Sequence, residues 1–191
     1  VRYSRGGGAV ELDAWVRHLA LQLRRADALG PELPAGTVLV ARPSEAEGVE
    51  VVSFRALDLA TARRELESLV TLVGLAATAP VPFFPRAARE YAAVHRRLTA
   101  KGAPDVAERA LAAARAVFLG AARQGAPGEA QDPYVRRLHA DGDPLAPEPD
   151  AGAGLPGVPP FPEVALRVFG PLLAAREDGD DDPDPAGEAR S

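Results

Sequence analysis

The chain of 191 residues has no cysteine and no methionine, and it contains a single tryptophan. Without cysteine it forms neither disulfides nor thiolate metal sites, which fits a reducing compartment. No apolar run reaches the roughly 18 residues needed to cross a bilayer, and the first residues lack the apolar stretch of a secretory signal. The missing initiator methionine indicates a processed protein or a fragment of a longer one. We therefore expect a cytoplasmic domain that does not contact the membrane.

Basic charge and aromatic residues are also scarce. The formal net charge is −5, and Lys101 is the only lysine, so the composition gives no global basic footprint for nucleic acid. Hydrophobic residues make up 47% of the chain but aromatic residues only 5%, so the core must depend on Leu, Val and a few Phe. The length suits one domain, or one domain with a tail.

Hydrophobic periodicity predicts an α+β domain, a small mixed sheet flanked by several helices. A strand over residues 1–5 is followed by a flexible turn at Gly6-Gly7-Gly8. The β-branched runs 37–42 and 49–54, joined by a polar link, predict a hairpin. Helices are predicted at 11–29, from Asp58 onward, and at 86–99, 105–120, 133–139 and 162–169.

Polar residues and Gly-Pro pairs mark the predicted helix ends. Asp58 and Asp132 are expected to cap the helices that follow them, and Asp105 with Glu108 has the spacing of a capping box. Gly30-Pro31 and Gly170-Pro171 are expected to end helices. The predicted buried faces are listed by helix: Leu12, Trp15, Val16, Leu19 and Leu23 in the first, and Ala62, Leu66, Leu69, Val70 and Val73 in the second.

Two segments have the composition of linkers and tails. Residues 141–160 are rich in proline and glycine and predict a linker within a domain that spans 1–176. Residues 177–191 consist almost wholly of acidic residues, proline, glycine and alanine, which cannot offset the cost of ordering a chain. We predict that this tail is disordered.

Common catalytic and cofactor signatures are missing. Gly6-Gly7-Gly8 lacks the Gly-Lys-Ser/Thr that a nucleotide-binding loop requires, so a plain turn is favoured. His18, His95 and His139 are far apart in sequence and form no zinc-binding pair. No serine lies in a Gly-x-Ser-x-Gly elbow. We predict no catalytic residue, no metal site and no cofactor.

The residues 86–97 carry the clearest candidate binding surface. This segment is locally basic, because it has one acid, Glu90, and four arginines: Arg86, Arg89, Arg96 and Arg97. Guanidinium groups pair well with phosphate or carboxylate oxygens. They predict contact with DNA or a protein partner, and the alternative is that they form ion pairs within the domain.

Two aromatic sites have two interpretations each, and one glutamate predicts a local contact. Phe83 and Phe84, between prolines, are either a platform for single-stranded bases or a core plug, and the plug is favoured. Tyr134 has the same two interpretations. The Glu129 carboxylate is expected to accept backbone amides and so tie a loop together.

Three phrases, taken with the order of the elements, carry a resemblance to a known family: Pro82–Pro85, Gly128–Tyr134 and Phe169–Leu173. In this order, behind a strand, helix, hairpin and helix, they resemble the C-terminal domain of RecC over residues 1–173. RecC is the gamma subunit of exodeoxyribonuclease V, the RecBCD helicase–nuclease. Val135 stands where the family often has another aromatic residue.

The resemblance implies a degenerate restriction-endonuclease-like fold of the PD-(D/E)xK type. It also implies that the domain is the end of a larger RecC chain that works with RecB-like and RecD-like subunits on DNA. That complex uses ATP to unwind and degrade broken DNA ends in homologous recombination. Active nucleases of this fold need an Asp/Glu-x-Lys. Thr99 stands two positions before Lys101, and Glu50 in the strand 49–54 has no lysine partner.

We therefore expect a non-catalytic domain that acts as a scaffold and guides DNA. Two alternatives remain open. One is an active metal-dependent nuclease domain, and the other is a free-standing protein-interaction adaptor, which the acidic balance would suit.

Overall fold

The computed structural model describes residues 7–26, 36–41, 49–120, 127–139, 142–146 and 157–177. These residues form six α-helices, a short 3-10 helix and three β-strands, which is the predicted α+β class. In chain order the elements are α1 (Gly8–Ala26), β1 (Thr37–Ala41), β2 (Glu50–Phe54), α2 (Leu59–Ala76), α3 (Pro85–Ala100), α4 (Val106–Leu119), the 3-10 helix (Glu129–Gln131), α5 (Pro133–Leu138), α6 (Phe161–Ala175) and β3 (Arg176–Glu177).

The three strands form one antiparallel sheet in the order β1-β2-β3. The predicted hairpin is confirmed, with Val40 opposite Val51. Within the described residues the sheet is antiparallel throughout, whereas we predicted a mixed one. Val52 and Phe54 are buried toward α1, where the Phe54 ring lies 5.5 Å from the Trp15 ring. The opposite face exposes the valines Val38, Val40 and Val51.

Helix α3 is the centre of the packing. It packs mainly against α4 and α6 and also contacts α1, while α2 packs against α1. Alanines at positions 87, 88 and 92 are buried and allow the neighbouring helices to approach closely. One continuous apolar core joins all of the long helices to β2. None of the described helices has the length and apolar character needed to span a membrane.

Two predicted helix faces are partly wrong. In α1 the buried positions include the polar residues Glu11, His18 and Gln22 as well as Ala14, Trp15 and Leu19, while Val16 is 38% exposed. In α2, Ala62 is buried, but Val70 and Val73 are 62% and 70% exposed, and Leu72 takes the inner position. Most positions of both segments are apolar or small, so hydrophobicity alone does not define which side faces the core.

The predicted N-caps have different outcomes. Asp58 accepts the Thr61 amide at 2.8 Å, a bond that lowers the pKa of this carboxyl, and Asp132 accepts the Tyr134 amide at 2.8 Å. Both caps are confirmed. Asp105 adopts the left-handed conformation (φ 54°) and makes no side-chain capping bond, so the predicted capping box is wrong. A capping side chain needs extended backbone at that position to reach the first-turn amides.

Helix α6 is longer than predicted. It was expected to end at Gly170-Pro171, but both residues lie inside the helix, which runs to Ala175. Proline removes one backbone donor and normally breaks a helix. Here Leu172, Leu173 and Ala175 are buried beyond it, so packing of the last turn outweighs the local cost.

Several predictions fall wholly or partly outside the described residues. They are the strand at 1–5, the helix end at Gly30-Pro31, the link at 43–48 and the tail from 178 onward. Glu177, the first residue of the predicted tail, pairs with Ser53 in β3. Within the predicted linker at 141–160, Leu145 is 1% exposed and belongs to the core.

Candidate functional site

The start of α3 is capped by a residue distant in sequence. Its N-cap, Phe84, has no side chain that can accept a hydrogen bond, and Pro85 occupies the first turn. The Glu129 carboxylate accepts the Arg86 amide at 3.0 Å through Oε1 and the Ala87 amide at 2.9 Å through Oε2. The prediction that Glu129 ties a loop together is confirmed. A carboxylate at this position also complements the positive end of the helix dipole.

Gly128 lets the capping loop approach the end of α4. A Cβ at this position would overlap the Phe118 carbonyl and the amide of Gly120. Gly8, at the start of α1, is in a similar position, because a Cβ there would overlap the Pro85 carbonyl. Close backbone approach therefore holds α1 beside the start of α3 and the 3-10 helix segment beside the end of α4.

The two phenylalanines before α3 pack inward. Phe84 is 4% exposed, and its ring lies 4.8 Å from Phe118 and 5.6 Å from His139. The core-plug interpretation is confirmed for Phe84, which has no open ring face for a base. The half-buried ring of Phe83 stacks on Phe169 at 6.2 Å. The three sequence phrases that carry the family resemblance therefore meet at one place, the start of α3.

Three of the four predicted arginines are held by contacts inside the protein. Arg86 donates to the Pro127 carbonyl and Arg96 to the Leu173 carbonyl. The Leu173 carbonyl lies in the last turn of α6, where helix carbonyls have no partner within the helix and a cation is favoured. These two arginines fasten α3 to the capping loop and to α6.

Arg89 makes a largely buried ion pair. Its guanidinium binds Glu11 of α1 through two hydrogen-bonding nitrogens, with Nε 2.8 Å from Oε2 and Nη2 2.7 Å from Oε1. The Glu11 side chain is only 3% exposed. Burial alone would lower the pKa of Arg89, but the hydrogen bond and charge of Glu11, with Glu50 and Glu90, raise it. A bidentate pair of this kind fixes the orientation of α1 against α3.

A second arginine extends this cluster to the sheet. Arg176, at the start of β3, has Nη1 3.8 Å from Glu11 Oε1 and Nη2 3.6 Å from Glu50 Oε1. Two carboxylates and two guanidinium groups from α1, β2, α3 and β3 thus form one network, which we call the Glu11 network (Glu11, Glu50, Arg89 and Arg176). Every carboxylate in it faces a cation.

Arg97 is the exception among the four arginines. It is exposed, and its guanidinium makes no hydrogen bond or ion pair with the residues that the structure describes. Lys101, one turn later, is also exposed. The predicted basic surface is therefore not continuous, because Arg86 and Arg89 are turned to internal partners. Contact of Arg97 with DNA or a partner stays a prediction.

His18 is a buried polar group next to the sheet. Its ring is fully buried between Trp15 and Phe54, and Nδ1 lies 2.9 Å from the Thr37 hydroxyl. Nε2 has no hydrogen-bond partner of normal geometry in the described part of the chain. Desolvation lowers the pKa of His18, and the nearby backbone of Arg55 opposes part of that shift. The neutral ring therefore belongs to the folded state near neutral pH.

The described residues hold no group of three or more His, Cys, Asp or Glu side chains placed to bind a metal ion. The buried ion pairs and helix caps of this arrangement hold the elements of the domain together. The sequence did not point to Glu11 as part of it. One signal was present: Glu11, His18 and Gln22 lie on the same face of α1 as Trp15, and polar residues on a core-facing stripe usually have buried partners.

Comparison with known protein families gives a match. The family model described as RecC C-terminal domain matches residues 1–96, just over half of the 191 residues. The match includes Glu11, Glu50 and Arg89 of the network, the hairpin and the Pro82–Pro85 phrase. The Gly128–Tyr134 and Phe169–Leu173 phrases lie beyond it. No curated protein matches the chain. On the strength of the match, the chain belongs to the RecC C-terminal domain family.

Proposed function

We propose that this chain is a non-catalytic scaffold domain of a RecC subunit, within a RecBCD-type helicase–nuclease that acts in double-strand break repair by homologous recombination. In that setting it docks RecB-like and RecD-like subunits and guides DNA. The family match is the observation that carries the proposal.

The Glu11 network supports the non-catalytic part of the proposal. A metal-dependent nuclease needs carboxylates that are free to hold a cation and activate water. In this chain both oxygens of Glu11 are engaged by Arg89, and Glu50 lies beside Arg176. We infer that guanidinium groups here supply the positive charge that a cation would otherwise supply. This is the arrangement expected of a restriction-endonuclease-like fold that has kept its core and lost its catalytic use.

The fastening role of α3 supports the scaffold part. Its arginines and its cap join α1, α6 and the 127–129 loop into one rigid body, which is what a domain that positions other subunits requires. Its exposed Arg97 is the candidate for contact with a partner or with DNA.

The deciding experiment is reconstitution of a complete RecC subunit that carries this domain with its RecB-like and RecD-like partners. We expect the subunit with the domain to co-purify as a complex, and Arg97→Ala to weaken assembly or DNA binding without a change in melting temperature. Arg63→Ala is the matched control, because Arg63 is exposed on α2 and makes no side-chain hydrogen bond or ion pair with the described residues. If assembly and DNA binding of Arg97→Ala match those of the control at every salt concentration, the role of Arg97 is wrong.

The alternatives predict other results. Magnesium- or manganese-dependent cleavage of DNA by the purified chain, abolished by Glu50→Gln, would establish an active nuclease. Failure of the subunit to join any complex would instead favour a free-standing adaptor.

A further inference from the structure

Helix α5 exposes an unusual group of side chains. Tyr134 is 80% exposed and Leu138 is 63% exposed, and Arg136 and Arg137 are exposed beside them. No side chain of these four makes a hydrogen bond or ion pair with the described residues. The contrast with Tyr91, which is 2% exposed in the core, shows that this ring is not needed for packing.

The opposite side of α5 holds the helix in place. Asp132 caps it through the Tyr134 amide, Val135 packs against the core, and His139 at its end contacts the Phe84 ring edge-on. The contacts that hold α5 in place do not involve the side chains of Tyr134, Arg136 or Arg137. Those side chains are therefore exposed to solvent on an anchored helix.

The spacing of the exposed residues places three of them together. Tyr134, Arg137 and Leu138 are related by three and four positions, so they share one face of the helix, whereas Arg136 is two positions from Tyr134 and lies on another side. A tyrosine ring offers a stacking surface to a base, and a guanidinium group binds a phosphate. The chain as a whole carries a net charge of −5, and Arg137 places a positive charge next to the exposed ring.

We propose that the α5 face, formed by Tyr134, Arg137 and Leu138, binds single-stranded nucleic acid. The tyrosine stacks on an unpaired base and Arg137 contacts an adjoining phosphate. A duplex is a poorer ligand, because its bases already stack on one another and leave no open face to a side chain. This inference rests on the proposed function, since it assigns a strand-guiding surface to the same domain.

The test measures binding of a fluorescent oligothymidylate of about 16 nucleotides, the upper end of the site size of single-strand-binding folds, to the full 191-residue chain. Tyr134→Ala is expected to weaken binding by about 5- to 100-fold, the range found when a stacking residue is removed. Tyr134→Phe keeps the ring and is expected to bind like the original protein. A duplex of the same length is expected to bind more weakly than the single strand.

Salt dependence tests Arg137. Arg137→Ala is expected to reduce the slope of log K against log salt by about 0.7, the contribution of one phosphate contact on a single strand. Arg136→Ala makes the same change in net charge on another side of the same helix, and is the control. Equal loss in the two variants would mean that only net charge matters, and would overturn the proposal.

Two other outcomes would also overturn it. The first is that the original chain does not measurably bind the oligonucleotide. The second is that Tyr134→Ala binds the oligonucleotide as the original chain does. If the variants bind normally but fail to assemble with partner subunits, the α5 face is a protein-docking surface. Failure of the original subunit to assemble at all is a separate result, which counts against the proposed function.

Discussion

At the scale of single residues, the polar groups with the largest structural effect are those that join distant parts of the chain. Arg89 and Glu11 are 78 positions apart, and Ala87 and Glu129 are 42 apart. The sequence identified the arginines and Glu129 as important, and correctly predicted that Glu129 accepts backbone amides. It did not identify the partners of the arginines, because local spacing carries no information on which distant element lies opposite a side chain.

We expect Glu129→Ala to destabilise the protein by about 1–2 kcal/mol, because it leaves the amides of Arg86 and Ala87 without acceptors at the start of α3. Urea denaturation measures the free energy of unfolding. Glu67→Ala serves as the control, because this residue is exposed on α2 and its side chain makes no hydrogen bond or ion pair within the part of the chain that the structure describes; it should change stability by less than about 0.5 kcal/mol. Equal effects of the two substitutions would show that the cap does not stabilise α3.

His18 makes stability depend on pH. Burial lowers its pKa in the folded protein, while in the unfolded chain the ring titrates near its ordinary value of 6.5. Between these two values the unfolded state binds more protons, so the free energy of unfolding falls as the pH falls below 6.5. Burial also lowers the pKa of His139, so this residue gives stability a pH dependence of the same sign.

We therefore predict a loss of stability on acidification from pH 7.5 to pH 5.5, of at most about 1.4 kcal/mol per pH unit for each histidine. Denaturant titrations at a series of pH values measure it. The His18→Gln variant should have a shallower pH dependence of stability than the original protein, whatever its stability at pH 7.5. An unchanged slope in His18→Gln would mean that His18 does not titrate between the folded and unfolded states.

At the scale of elements, the sequence predicted the helices and the hairpin well and their ends less well. Caps formed by a nearby side chain, such as Asp58 and Asp132, were predictable because both partners lie within one turn. The end of α6 was not predictable from local signals, because Gly170 and Pro171 are followed by Leu172 and Leu173, which are buried in the core. Local signals for a helix end are worth a few kcal/mol at most, and burial of one more apolar turn can exceed them.

Substitution of glycines within these elements tests whether helix propensity and the space for a Cβ predict the change in stability. Gly74 in α2 and Gly170 in α6 have no neighbour within 4 Å of where a Cβ would lie. Gly74→Ala should stabilise the protein by about 0.5–1 kcal/mol, because alanine loses less backbone entropy in a helix. Gly170→Ala should not, because Pro171 follows it and the Cβ of a residue before proline disfavours helical backbone. Gly128→Ala should destabilise it, since its Cβ would overlap the end of α4. Thermal melts of the three variants measure the changes, and a stabilising Gly128→Ala would refute the close approach.

At the scale of the whole molecule, the family match and the folding unit have different lengths. The match ends at residue 96, inside α3. Helix α3 packs mainly against α4 and α6, and β2 pairs with β3, all of which follow residue 96. The matched half therefore exposes most of the apolar surface of α3 when the rest of the chain is removed.

We predict that the full chain unfolds in one cooperative transition and that a fragment of residues 1–96 does not fold by itself. Trp15 fluorescence reports on the α1–sheet contact and far-UV circular dichroism on the helices, so coincident urea transitions of the two signals are the expected result for the full chain. A fragment of residues 1–177 should retain the same midpoint, because the core ends at Ala175. A cooperative transition in the 1–96 fragment would mean that α1, the hairpin and α2 form a core of their own, and the fastening role assigned to α3 would then be wrong.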